Sequence, residues 1–338
     1  VKKQIILVAT LLSSSPVATY AQTAVGSVNM TATSDVTSAL APVAAGPLDS
    51  VKQQPMLGNL AIRKSLAEKG IALDGRWVVE PAVNMRGYRG HGLNVVSSIN
   101  VGASLDMGKL GGIDNGLVRI VMTDRLGDST NSERTGAYIQ NQAFYGQGKN
   151  VRFNELSWEQ TFAQGHLSVK AGFYPMGNDF GKLPYTCNFT NNGNCGHPLG
   201  PVYSSGWRDD PTGQWGARIK WSDPSGWYVQ VAAYDVNMLR NQAGHGFDFD
   251  FDGERGMFFP VEAGYSHGKT PSDDAGTYKV TAYYETSRVA LQGGATRRKR
   301  GELAQYFRPP SKSGNPTPIR CAGFPSSASI PSLIRTPV

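Results

Sequence analysis

The feature that most constrains this chain is a two-residue hydrophobic period that returns in separate segments between about residues 73 and 286. In 166–174, Leu167, Val169, Ala171 and Phe173 share one face, and Ser168, Lys170, Gly172 and Tyr174 share the other. In 214–221, Trp215, Ala217, Ile219 and Trp221 oppose Gln214, Gly216, Arg218 and Lys220. Near 277–286, Tyr278, Val280, Ala282 and Tyr284 oppose Thr277, Lys279, Thr281 and Glu285. Successive strand side chains point to opposite faces, so each segment reads as a strand with one apolar side. The pattern predicts nine strands, near 73–84, 94–107, 117–126, 152–162, 166–176, 213–222, 227–236, 256–266 and 277–286. Many reach the roughly 9–11 residues that a tilted strand needs to cross a bilayer. Strands in soluble sandwiches run nearer about 5–6.

Composition narrows the classes. Only 17% of residues are charged, and Gly numbers 40 of 338; a mean hydropathy of −0.32, with no later run of about 18 apolar residues, excludes a helical membrane protein. It does not exclude a membrane β-barrel, where apolar residues come one in two. Connection lengths agree with a barrel. Short turns at 108–116, 163–165 and 223–226 alternate with long polar loops at 127–151, 177–212 and 237–255, as outer-membrane barrels require. The loop at 86–92 is shorter than this rule expects. Trp221 and Trp227 flank a short turn, where an aromatic girdle belongs. A secreted β-sandwich with wet loops is the alternative.

The N-terminus reads as a secretory signal peptide over residues 1–21: Lys2 and Lys3, an apolar stretch from Ile5 to Leu12, then small residues ending at Ala21. Residues 22–55, rich in Ala, Ser, Thr and Pro, read as a flexible linker, and 56–70 as one short amphipathic helix stopped by Gly70. Export permits disulfides, so Cys187 and Cys195 in CNFTNNGNC suggest a small loop disulfide, with two free thiols as the alternative.

These segments carry a family resemblance. MLGNLAIRKSLAEKGIALDGRWVVEPAVN, SLDMGKLGGIDNGLVRI, FNELSWEQTFAQGHLSVKAGFYPMGNDF and WGARIKWSDPSGWYVQVAAYDVN, in that order over residues 56–290, resemble the outer-membrane carbohydrate-selective porins of the OprB type. The resemblance implies a transmembrane antiparallel β-barrel of about sixteen strands, monomeric or a homo-oligomer, that passes mono- or oligosaccharides down their gradient. The fold expected is all-β: residues 71–290 as part of such a barrel, sited in the outer membrane of a Gram-negative bacterium and surrounded by its lipid.

With apolar faces toward lipid, the opposite faces direct Arg76, Glu80, Arg119, Arg125, Glu155, Glu159, Lys170, Arg218, Lys220, Glu262, Lys279 and Glu285 into the lumen. Both signs occur, which suits neutral, hydroxyl-rich sugars; a one-sided ring would mark an ion-selective pore. Tyr174, Tyr228 and Tyr234 are candidate platforms for sugar faces. An exported lectin or glycoside hydrolase is the rival function. Glu155 and Glu159 would lie about 13 Å apart along a strand at about 3.3 Å per residue, too far for a glycosidase pair at about 5–9.5 Å. No catalytic residue is assigned.

Other motifs are weaker. Phe247–Gly253 imitates half a calcium loop, but Phe259 stands where a bidentate Glu is needed; a weak cation site or a plain acidic extracellular loop remain the readings. Gly268-Lys269-Thr270 lacks the upstream glycine of a phosphate loop. The five His are scattered without ligand spacing, so no metal or cofactor is expected. Residues 295–338 hold eight basic residues against Glu302 alone and so carry the whole +7 net charge. The body is balanced, which argues against nucleic acid. From 291 the alternation stops, and 291–338 is basic, Pro-rich and contains the unpaired Cys321. The expectation is a disordered tail arising from a frame shift or truncation near residue 290, and an open sheet with little channel activity.

Overall fold

Antiparallel strands joined by turns pair most directly with their sequence neighbours, and that is the topology observed. The computed structural model describes residues 28–30, 60–267, 276–290 and 298–308, apart from 87–88, 147, 183–189, 194–201, 203–204 and 252–254. The signal peptide, Cys187, Cys195 and Gly268-Lys269-Thr270 lie outside these residues. One sheet runs in strict sequence order, every neighbouring pair antiparallel. Its strands are β1 (Val28–Met30), β2 (Ile71–Asn84), β3 (Gly92–Asp106), β4 (Gly116–Gly127), β5 (Asn150–Phe162), β6 (Leu167–Tyr174), β7 (Gln214–Ser222), β8 (Trp227–Asp235), β9 (Met257–His267), β10 (Gly276–Ala290) and β11 (Arg298–Arg308).

The nine strands read from the period are β2 to β10. Two more lie where none was expected. β1 falls inside the stretch read as a flexible linker and pairs with β2, Val28 opposite Trp77. β11 falls inside the stretch read as a disordered tail and pairs with β10, Tyr284 opposite Leu303. Its opening cations, Arg298 to Arg300, interrupt the apolar alternation that marked the other strands. The helix α1 is shorter than the 56–70 expected, Ala61–Glu68. The 108–116 turn contains a further helix, α2 (Met107–Gly111), capped by Asp106, whose carboxylate accepts from the Gly108 and Lys109 amides at 2.9 and 3.3 Å.

Polarity is inverted relative to a water-soluble protein. Val101, Ile219, Val229, Val231, Val261 and Tyr284 are exposed on one face of the wall, while Arg125, Glu155, Lys170, Arg218, Glu262 and Glu285 are buried on the other. Charged residues are almost never fully buried in ordinary cores unless paired; outward apolar and inward polar alternation is the signature of a membrane barrel. Along β9 the alternation is plain: Phe259 and Val261 outward, Phe258 and Glu262 inward.

Two irregularities adjust this wall. A bulge in β5 leaves Asn154 as an extra residue between the pairs Val121–Glu155 and Met122–Phe153, so the inward set changes from Arg152 and Asn154 to Glu155, Ser157 and Glu159. The short turn before β8 closes through Gly226 at φ 102°, where a Cβ would overlap the Ser266 carbonyl oxygen; only glycine fits there. The long connections after β4 and β6, at the same end of the strands, fold into the concave side. There Tyr174, Met176, Phe180, Trp207, Tyr234, Val236, Phe258 and Tyr283 form a small buried apolar cluster between wall and loops.

Candidate functional site

The charged inner face is built by register. Glu159, Lys170 and Arg218 stand directly opposite one another on β5, β6 and β7, so three charges meet in one row. Arg218 bridges two carboxylates, Nη1 to Asp179 Oδ1 at 3.1 Å and Nη2 to Glu159 Oε1 at 2.5 Å. Lys170 Nζ lies 2.9 Å from Glu155 Oε1 and 3.9 Å from Asp179 Oδ2, above the Tyr174 ring. Ser157 donates to Glu155 at 2.6 Å, and Ser168 to Glu159. Both candidate glutamates are therefore consumed in a buried ion network. Asp179, which joins its two halves, comes from the loop after β6 and was not among the residues singled out from the sequence.

Glu80, Glu262 and Glu285 play a different part, since each accepts a backbone N–H from an infolded loop. Glu80 Oε2 takes the Phe144 amide at 2.9 Å, and its carbonyl takes Gln142 Nε2 at 2.6 Å. Glu262 Oε2 takes the Gly181 amide at 2.7 Å and Thr281 Oγ1 at 2.6 Å. Its Oε1 takes Tyr228 at 2.7 Å, Gln230 at 3.0 Å and Lys279 at 3.4 Å. Glu285 Oε2 takes the Gly206 amide at 2.9 Å. Lys279 also holds the same loop as Glu262, donating to the Lys182 carbonyl at 2.6 Å. Arg125 donates to the Gly146 carbonyl and to Asp210 Oδ2, the latter at 3.2 Å, tying two loops together. Among the loop groups, burial pushes the Arg208 guanidinium down to about 10, against the opposing pull of Glu285 and Asp209.

Three of the bases differ. Arg76, Arg119 and Lys220 are only half-buried. Arg76 lies 4.7 Å from the Phe144 ring and Lys220 5.0 Å from the Tyr228 ring. None of the three makes a side-chain hydrogen bond to another described residue. Of the three candidate tyrosines, Tyr174 and Tyr234 are fully buried, their hydroxyls 3.1 Å apart, and cannot be platforms; Tyr228 alone of the three keeps a partly open ring. The Phe247–Phe251 stretch turns its backbone carbonyls onto a protein cation, with Arg240 donating to the Asp248 and Asp250 carbonyls at 2.9 and 2.6 Å. Among the described residues no three His, Cys, Asp or Glu side chains are arranged so that they could hold a metal ion.

An inside-out meander with loops pinned into its concave side is the architecture of a membrane β-barrel wall. Residues 91–319 match the model of the carbohydrate-selective porin, OprB family. The chain belongs to that family. The match runs past residue 290, where the resemblance read from the sequence ends, and takes in β11. Porin B of Pseudomonas aeruginosa is 29% identical over 242 residues, 69% of this chain and 53% of that protein. QuiX of Acinetobacter baylyi is 28% identical over 236 residues, 67% of this chain and 53% of that protein. A high-pH structure of Pseudomonas putida OprB superposes with a TM-score of 0.67 at 25% identity, covering 73% of this chain and 62% of that one. This OprB-family chain thus spans about half the length of the curated relatives it matches. The all-β porin wall is the fold on which its side chains act.

Proposed function

We propose that this chain forms channel wall in an outer membrane and passes carbohydrates passively. The carrying observation is the chemistry of the inner face. Its strongest charges neutralise one another in buried pairs, and loop carboxylates Asp179 and Asp210 add to the wall's acids. A solute passing it meets three half-buried bases and one tyrosine ring, set in a wall whose other charges are paired or committed to the loops. That suits sugars, whose hydroxyls exchange water for such groups at little net cost. Arg76, Arg119 and Lys220, with Tyr228, are the side chains best placed to touch solute; the remaining candidates hold the lining in place. The apolar outer face faces lipid.

The test is a liposome-swelling assay with glucose, a disaccharide and an amino acid of similar size to glucose. Faster swelling with the sugars supports the reading. Swelling equal to that of empty vesicles for every solute, in protein verified as inserted, removes it.

A further inference from the structure

The loop after β8 does not follow the others into the concave side. The Phe249 ring packs 5.3 Å from Phe153 and 5.0 Å from Phe173, and its carbonyl accepts Trp215 Nε1 at 2.7 Å. Those three partners sit at the long-loop ends of β5, β6 and β7 on the outer face. Phe153 opposes Met122, out of phase with inward Thr123, and Phe173 pairs with Leu156 and Trp215, out of phase with inward Lys170 and Arg218. The β5 bulge makes the attachment possible, because the Phe153 N–H donates to the Gly246 carbonyl at 2.9 Å instead of to a strand.

Arg240 sets the shape. It pairs with Asp235 at 2.7 Å, lies 5.2 Å from the Phe173 ring, and draws the Asp248 and Asp250 carbonyls toward the wall. The phenylalanines are left outward: Phe247, Phe249 and Phe251 are 52%, 40% and 62% exposed, and Met238 and Leu239 of the same loop are also exposed. Such a strip would be anomalous against water. Here it continues the outer apolar band, since Phe173 beneath Phe249 pairs with outward, exposed Leu156.

We propose that residues 246–251 are a lipid-facing clasp: the loop folds over the rim onto the outer wall, and its phenylalanines rest among membrane lipids at the bilayer interface. The clasp rests on the reading that the wall stands in a membrane. It fixes how deep the rim sits, as aromatic girdles do, but from a loop rather than from strands.

The test is photolabelling of the full native chain in phosphatidylethanolamine–phosphatidylglycerol vesicles that carry a phospholipid with a diazirine near the headgroup. Adducts are mapped by mass spectrometry. Adducts are expected on the 246–251 peptide and on the β8 peptide containing Trp227, Val229 and Val231. In the double variant Phe247→Ser with Phe251→Ser the loop adducts should fall severalfold while those on β8 persist. Adducts on β8 without any on the loop overturn the clasp. Adducts on neither overturn the membrane reading, and the clasp with it.

Discussion

Glu262→Gln isolates what holds the loop after β6 inside the wall. The native carboxylate accepts five donors: the Gly181 amide, Thr281, Tyr228, Gln230 and Lys279. A carboxamide keeps the shape but turns one acceptor oxygen into a donor, so either the Gly181–Thr281 side or the Tyr228–Gln230–Lys279 side faces an N–H. Each lost bond to a charged acceptor is worth about 1.5–3 kcal/mol. Removing one partner of a buried ion pair costs about 3–5 kcal/mol, so we expect about 3–5 kcal/mol lost from the docking of residues 176–182. The Asp179–Arg218 pair and the Gln230 bond to the Asp179 carbonyl remain, so the loop should loosen while the wall stays assembled. Thr281→Val, which removes one donor, should produce about 1.5–3 kcal/mol of the same effect. Amide exchange at 176–182 reads the docking, and single-channel conductance reads the lumen. Glu262→Gln should speed exchange at Gly181 and raise conductance, with Thr281→Val between it and the native chain. Unchanged exchange and conductance in assembled Glu262→Gln protein would refute the latch.

Arg218→Ala leaves Glu159 and Asp179 without their shared cation and should cost about 3–5 kcal/mol in denaturant unfolding from vesicles; Arg218→Lys should recover only part, because an ammonium cannot span both carboxylates in one plane. Ala217→Arg, outward on β7, should cost about 2–4 kcal/mol if it lies near the midplane. Gly216→Ala, inward, should also destabilise, by about 1–3 kcal/mol, because its Cβ would overlap the Tyr234 ring; a silent Gly216→Ala would show that this ring is free to move. In the 223–226 turn the Ser225 donors hold the Asp223 carboxyl below its ordinary range. A depressed carboxylate stabilises above its unfolded pKa and loses that contribution as pH falls through the folded one, so the turn's amide protection should fall only in strong acid, and Asp223→Ala should abolish the pH dependence.

The wall was legible because its evidence is local: Trp215, Ala217, Ile219 and Trp221 announce a strand and a lipid face within eight residues. The inward direction of Lys170, Arg218 and Glu262 followed from the same period. What was hidden is non-local. The Asn154 bulge leaves no mark in composition, yet it reverses which residues of β5 face inward. Gly181 meets Glu262 across 81 positions of sequence, and nothing near Gly181 declares it. Tyr174 and Tyr234 shared the polar face and read as open rings, but a loop covers them. The FDFDF stretch was read for its carboxylates, when Arg240 makes its phenylalanines the exposed part.

The latches follow from inverting a protein. A loop entering an ordinary core is held by apolar contacts, which are non-directional and plentiful. Inside a polar wall the apolar cluster around Trp207 and Phe258 is small, and the rest of the loop must be held by hydrogen bonds that compete with water. Neutral bonds are worth little in that contest, whereas bonds to a buried charge are worth roughly twice as much. A wall glutamate aimed at a loop amide supplies such a bond, and an amide makes no demand on the loop's side chains. Phe144, Gly181 and Gly206 are held in this way by Glu80, Glu262 and Glu285. The acids so committed have few acceptor sites left for solute. On the proposed channel reading, discrimination among solutes falls to the half-buried bases Arg76, Arg119 and Lys220, and changes in them should alter which solute passes while changes in the acids alter how wide the passage is.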